Sequence, residues 1–236
     1  KEYLIFEGEL NRQMFQHKSS IDSITQQKKA LEAEIAEWEN KKDPEPARDE
    51  KVILNRKRLE SEGIPFIPLY KAVDFKNDIP ESIKGHIEEA LLDMGLLDAL
   101  IIPAKYREKA MGIDSKISDK YLFASPNILA NSLSEYLKVE KIDVNGITFE
   151  DVDNVLRSIL IDKNSSSTYI SENGEYGIGI PKGMADSLYV PKYIGALARK
   201  RFREEIIQKL QAKLAELETQ LNEISEKINS IAVRLS

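Results

Sequence analysis

From Ile207 onward, apolar residues recur at Ile207, Leu210, Leu214, Leu217, Leu221, Ile224, Ile228, Ile231 and Leu235, and the spacing alternates 3, 4, 3, 4 without a break. This is the 3.5-residue period of a coiled-coil seam. No Gly or Pro follows Phe202, and the positions between are mostly Glu, Gln, Lys, Asn and Ser. A lone helix cannot bury so narrow a stripe, so the segment demands a helical partner. The amino-terminal segment offers one. Leu10, Met14, Ile21, Ile24, Leu31, Ile35 and Trp38 keep the same rhythm, with His17 and Lys28 at two seam positions. If the two segments run antiparallel, Trp38 meets Ile207, Ile24 meets Leu221 and Leu10 meets Leu235, in an arm on the order of 50 Å long. Charge agrees mildly: residues 1–40 carry −3 and residues 199–236 carry +2. The expected seam therefore includes Ile24, Leu31, Trp38, Ile207, Leu214 and Leu221. A parallel bundle between chains, or packing of both ends on the middle, would use the same stripe, but a strict two-in-seven pattern over four heptads favours the coiled coil.

Between the two helices the character changes. Lys42-Asp43-Pro44-Glu45-Pro46 stops the first helix, because two prolines so close cannot continue it. A short helix over about Arg48–Ser61 ends at Gly63, and Pro65–Phe75 is apolar with an extended character. Pro80–Met94 has Ile83, Ile87, Ala90 and Leu91 on one face and Gly95 as its stop. Leu96–Ile102 is a buried-strand candidate closed by Pro103. Ser125-Pro126 reads as the start of a helix to Leu137, and Thr148 with Asp151 as a capping box for a helix through Ile161. Asn173-Gly174, between Thr168–Ile170 and Tyr176–Ile178, is a hairpin signal. The expected fold is a mixed α/β (α+β) globular domain inserted between two helices of an antiparallel intramolecular coiled coil. The segments are an arm over 1–41, a Pro-broken linker with a short helix over 42–62, the globular domain over 63–196 and a returning arm over 197–236.

The chemistry that is missing narrows the function. There are no cysteines, which excludes a disulfide scaffold, a thiolate metal site and a cysteine nucleophile, and fits a cytoplasmic protein. No Walker A motif occurs. Gly177-Ile178-Gly179 with Gly183 is not a dinucleotide fingerprint, since the third glycine is misplaced and no helix follows. His17 and His86 lie in separate elements, so no histidine triad or zinc site is expected, and Asp93 with Asp98 is a poor candidate for a carboxylate pair. Neither a cofactor nor a metal is expected. The longest apolar run, around Leu100–Ile101–Ile102, is far too short to span a bilayer, so no membrane partner is expected. The opening Lys1-Glu2-Tyr3, with no initiator Met, reads as the start of an excised fragment. The net charge of −6 confines any nucleic-acid contact to a local patch. Two clusters qualify: Arg56, Lys57 and Arg58 before the domain, and Arg199, Lys200, Arg201 and Arg203 after it. They are candidates for sequence-independent phosphate contact where coil meets domain. The alternative is a solvated helix face, partly neutralised by Glu60, Glu204 and Glu205.

Helix, α/β domain and returning helix is the layout of the hinge of SMC-like ATPases, and the likeness extends to residues. Gly63–Phe75 resembles the ingoing segment of such a hinge. Ile87-Glu88-Glu89-Ala90-Leu91, followed by Gly95–Ile101, resembles a run found in one bacterial subgroup. Gly174–Gly179 and Tyr193–Arg199 resemble its outgoing region. That subgroup comprises large bacterial SbcC/SMC-like ATPases, including the SMC-like subunit of Wadjet plasmid-defence systems. The resemblance covers roughly residues 44–203, although the glycine-rich dimerisation motif of chromosomal SMC hinges does not align. It implies a non-catalytic hinge that joins two long arms as a homodimer, in a parent whose ATPase heads lie far away. A self-complementary surface is then expected, with Leu96, Ile101, Tyr176, Gly177, Gly179 and Gly183 as candidate interface residues on strand edges. Two other classes compete: a coiled-coil scaffold or adaptor that binds a protein partner without DNA, and a small enzyme with a helical-hairpin appendage.

Overall fold

A computed structural model describes residues 2–40, 43–140, 142–161 and 168–235. The chain is a mixture of helix and sheet with a long helix at each end, and it divides into two compact units. Residues 1–43 and 201–236 form one; residues 44–200 form the other.

In the first unit, α1 (Glu2–Glu39) and α7 (Ala196–Leu235, of which the part from Arg201 lies here) pair antiparallel. Lys28 Nζ lies 2.8 Å from Glu218 Oε1, the Arg234 guanidinium sits over the Phe6 ring at 5.2 Å, and Arg203 Nη1 approaches Asp43 Oδ1 at 3.9 Å. Leu10, Ile35, Leu210 and Ile231 are buried. Ile24, Leu31 and Trp38 on α1, and Ile207, Leu214 and Leu221 on α7, are half-buried between exposed neighbours. This is the burial that two helices alone can give a two-in-seven stripe.

The second unit begins with residues 44–49, which are non-helical, and α2 (Glu50–Ser61). The sequence suggests a linker here, but α2 is part of the globular unit. Leu59 is wholly buried with Ile64, Leu100, Ile102 and Ala110 in a small core that also takes in α5 (Arg107–Ile113). The stretch expected to be extended is β1 (Ile67–Pro68), a one-turn helix α3 (Leu69–Ala72) and β2 (Val73–Phe75). Next come α4 (Glu81–Asp93), β3 (Leu100–Ile101), α5, β4 (Tyr121–Leu122), β5 (Leu137–Val139) and α6 (Phe149–Leu156). The strands β6 (Tyr169–Ile170), β7 (Glu175–Gly177) and β8 (Lys182–Met184) complete the unit before α7. Among the described residues the strands form three small sheets, ordered β1-β3-β4, β2-β5 and β6-β7-β8. The main core gathers Leu69, Tyr70, Val73, Ile87, Leu91, Leu97, Leu133, Leu137, Val152, Leu156 and Ile170 beneath them.

Local signals explain several elements. Thr148 and Asp151 form the reciprocal capping box that starts α6. Asn173-Gly174 turns β6 into β7, with Tyr169 opposite Gly177 and Ile170 opposite Tyr176. The helix expected from Pro126 to Leu137 does not form. Long-range bonds capture this segment instead: Asn127 N–H donates to Arg157 O, Leu133 N–H to Ile159 O, and Ser132 bridges Leu160. Only a 3₁₀ turn at Leu133–Glu135 survives before β5. Likewise α6 stops at Leu156 rather than at Ile161, because residues 159–161 bond to the 131–133 and 168–170 segments.

Candidate functional site: the two chain crossings and an open sheet edge

The chain enters the globular unit once and leaves it once, and ionic groups hold each crossing. On the ingoing side, Arg48 donates a fork to Asp98, Nε to Oδ2 at 2.7 Å and Nη2 to Oδ1 at 2.8 Å. Its other arm donates to Glu45, which also takes Lys71 at 2.7 Å. Eight residues on, within α2, Arg56 donates to Asp119 through Nε (2.8 Å) and Nη2 (3.1 Å), and to the Asp98 carbonyl at 2.8 Å and its Oδ1 at 3.2 Å. Asp98 thus sits between two guanidiniums, and the Arg56 and Asp119 side chains are only 10% and 4% exposed. The Asp98 hydrogen bond holds Arg48 more firmly protonated than a free guanidinium. Burial pushes the Glu45 carboxyl up, but Lys71 and Arg48 outweigh it and leave its pKa below the ordinary value. Beside this cluster, Asn55 donates to the Tyr121 hydroxyl, which donates to Asp114, at 2.8 Å each.

On the outgoing side a single carboxylate does the holding. Glu88, in the middle of α4, has no exposed surface. Its Oε1 accepts from the backbone N–H of Lys192 (2.6 Å) and Tyr193 (3.0 Å) and from the Tyr189 hydroxyl (3.0 Å); its Oε2 accepts from Ile194 N–H (2.8 Å). Burial pushes its pKa above the ordinary value, against the pull of those four donors. The outgoing backbone comes so close to α4 that a Cβ at Gly85 would lie 2.3 Å from the Tyr189 carbonyl oxygen. At Gly195 the backbone turns into α7 with φ +86, and a Cβ there would lie 2.2 Å from Asp74 Oδ1. The Asp74 carboxylate therefore faces the positive end of the α7 dipole. Arg199 closes the crossing by donating to Tyr193 O at 3.0 Å and pairing with Glu140 at 3.8 Å.

Tyr70, wholly buried on α3, touches both crossings. Its hydroxyl accepts from Arg48 Nη2 at 3.3 Å, and its ring meets Tyr193 edge-on, with centroids 6.0 Å apart and planes at 71°. Desolvation drives the Tyr70 hydroxyl well above the ordinary tyrosine range, so it stays neutral.

The basic residues singled out from sequence have different fates. Arg56 is spent on Asp98 and Asp119 inside the fold and presents nothing to a phosphate. Lys57 and Arg58 are exposed on α2, with no carboxylate at ion-pair distance among the described residues. Arg199 is half-buried and committed to Glu140 and Tyr193, Lys200 and Arg201 occupy exposed positions of α7, and Arg203 pairs loosely with Asp43.

The candidate interface residues divide as well. β3 is a central strand, antiparallel to β1 and parallel to β4, so Ile101 is 1% exposed and has no free edge. Leu96 packs against the main core. Both were expected on an edge; two-sided pairing and core packing remove them from it. Gly177 and Gly183 serve the packing of their own sheet, since a Cβ would meet the Tyr169 ring at 2.6 Å and the Tyr176 ring at 2.3 Å. Tyr176 is half-buried and donates to Asp93 Oδ2 at 3.0 Å, and Gly179 (φ +62) turns the chain between β7 and β8. In this sheet the outer strand is β8. Tyr176 opposes Gly183 and Ala185 N–H donates to Gly174 O, so alternation turns the N–H and C=O of Lys182 and Met184 outward. Among the described residues nothing pairs with that side. Met184 on this strand, and Ile180 and Leu188 close to it in sequence, are 60%, 96% and 83% exposed.

Glu88, Asp98, Arg48 and Tyr70 were not picked out as functional from the sequence. The available signal was Glu88 at the edge of the Ile87–Leu91 apolar stripe, and an Asp98 inside an apolar run, where an unpaired carboxylate is costly. His86, weighed as a catalytic group, bonds the Glu172 carbonyl through Nδ1 at 2.8 Å. No group of three or more metal-ligating side chains occurs among the described residues, and no described helix is long and apolar enough to cross a membrane.

No family model and no curated protein matches the chain. Among solved structures it is similar to an asymmetric dimer of the Geobacillus stearothermophilus SMC hinge domain, at 11% identity over 97% of this chain and 98% of that one, with a TM-score of 0.38. It is also similar to the Pyrococcus furiosus Smc hinge domain with an extended coiled coil, at 12% identity over 98% and 85% of the two chains, with a TM-score of 0.43.

Proposed function

We propose that this chain is a hinge and dimerisation module: a globular domain with one coiled-coil helix before it and one after it in sequence, which joins a second copy through the outer edge of β8. The observation behind this is that edge, where two outward-facing backbone positions lie on a strand that carries exposed Met184, with exposed Ile180 and Leu188 close in sequence. An unpaired strand with apolar flanks is a template for another strand, and a two-fold axis through it makes one surface serve both copies. The ionic grip on both crossings suits a domain through which two arms are held. The residue-level resemblance of the ingoing and outgoing segments extends the proposal to a cytoplasmic SMC-like ATPase of the SbcC or Wadjet type as parent. Contact with DNA is a subsidiary part, resting on the exposed Lys57 and Arg58 of α2, since Arg56 and Arg199 are committed inside the fold.

The chain has no cysteine, so an introduced thiol reports cleanly. Met184→Cys should give a disulfide-linked dimer under mild oxidation, whereas Ile128→Cys, at 78% exposure on a loop, should not. Equal crosslinking of the two, or none at Met184→Cys, overturns the β8 interface.

A further inference from the structure

We propose that Tyr70 and α4 make the two crossings a single latch, so that ingoing and outgoing segments are released together and not one at a time. The contacts form an unbroken chain. Asp98 holds Arg48, Arg48 reaches the Tyr70 hydroxyl, the Tyr70 ring abuts Tyr193, and Tyr193 N–H is held by Glu88. Glu88 and Asp98 also share one support, since Asp98 follows α4 directly through the Gly95 turn, where Leu96 and Leu97 N–H both return to Leu91 O. The backbone of α3 is tied to the same turn, Leu69 N–H donating to Ala99 O and Tyr70 N–H to Leu97 O, both at 3.0 Å. The two carboxylates that grip the two crossings therefore cannot move independently, and the buried tyrosine between them senses both. Packed interiors respond to such shifts as discrete rearrangements, not by gradual deformation. This coupling belongs to the globular unit and stands whether or not β8 forms a dimer.

The test is hydrogen exchange on the full chain, read at Tyr193 and Ile194 N–H on the outgoing side, with Ile170 and Gly174 N–H in the β6–β7 hairpin as reference. Arg48→Lys keeps the charge but loses the fork to Asp98 and the reach to Tyr70. It should speed exchange at Tyr193 and Ile194 about tenfold while the hairpin amides change little, as for a local opening. Tyr70→Phe keeps the ring and both ion pairs, and should speed the same amides about threefold. The double variant should exchange no faster than Arg48→Lys alone, because the two changes break one path. Linkage requires the reverse effect, so Glu88→Gln should speed exchange at Val52 and Ile53 N–H, which donate to Asp49 O on the ingoing side. The latch is overturned if the outgoing amides follow the hairpin amides in every variant, or if the effects of Arg48→Lys and Tyr70→Phe multiply as independent events. Should Arg48→Lys disrupt the fold, Tyr70→Phe alone decides: an unchanged Tyr193 amide rejects the coupling.

Discussion

The ingoing and outgoing crossings meet the same demand with opposite chemistry. The ingoing segment brings its own cations, and four side chains, Arg48, Arg56, Asp98 and Asp119, lock by matched forks. The outgoing segment relies chiefly on backbone: three successive N–H groups, joined by the Tyr189 hydroxyl, converge on one buried carboxylate, and Arg199 adds a single ion pair to Glu140. The first arrangement depends on particular side chains and the second on a particular backbone path. The ingoing side should therefore be sensitive to loss of charge partners, and the outgoing side to loss of Glu88 or of the glycines that admit the path.

The largest effect is expected at Glu88. Glu88→Ala removes the carboxylate shared by three N–H groups, that of buried Ile194 among them, and by the Tyr189 hydroxyl, and should cost about 4 kcal/mol in urea unfolding, below the simple sum because the segment can relax. Asp98→Ala comes next, at about 3 kcal/mol, since two guanidiniums lose their shared carboxylate. Replacing Arg56 and Asp119 together by Met and Leu should cost less than Asp98→Ala, because no buried charge is stranded; the opposite ranking would dissolve the contrast between the crossings. Gly195→Ala should cost about 1–2 kcal/mol, from the left-handed backbone and the Asp74 oxygen in its way.

The smallest expected effect concerns pH, where the crossings carry opposite signs. The folded pKa of Glu88 is raised, so its contribution to stability is fully present below the ordinary carboxyl value and is lost as pH rises through the raised one. The folded pKa of Glu45 is lowered, so its contribution is present above the ordinary value and is lost as pH falls through the lowered one. In thermal unfolding, the gap between the natural protein and Glu88→Gln should narrow as pH rises above the ordinary carboxyl value of 4.5, and the gap to Glu45→Gln should narrow as pH falls below it. Gaps that run parallel would show that these carboxyls are not perturbed as described.

The same contrast explains what could be read from the sequence. The period of the two long helices is repeated over four heptads, so one misplaced residue such as His17 or Lys28 does not hide it. The capping box at Thr148 and the Asn173-Gly174 turn are local and equally plain. The crossings are not local: Arg48 finds Asp98 fifty positions on, and Glu88 finds Ile194 more than a hundred on. Nothing near Arg56 in sequence distinguishes it from Lys57 and Arg58, yet it faces inward and they face out. The strand containing Ile101 was legible as buried, but its central place in a mixed three-stranded sheet depends on Tyr121, and the open edge at β8 becomes visible only once β7 is in register beside it. Pro126 failed as a helix start because the segment's backbone groups found partners around residues 157–161 instead.

The proposed hinge is tested most directly by the mass of the full chain in sedimentation over a wide concentration range, alone and with Met184→Pro. That substitution removes one outward N–H of β8 and leaves the β7 ladder bonds in place. The natural chain should sediment at twice the 26.8 kDa of one copy, and Met184→Pro should return it to 26.8 kDa. A chain that remains at 26.8 kDa at the highest concentrations, or a dimer indifferent to Met184→Pro, contradicts dimerisation through this edge.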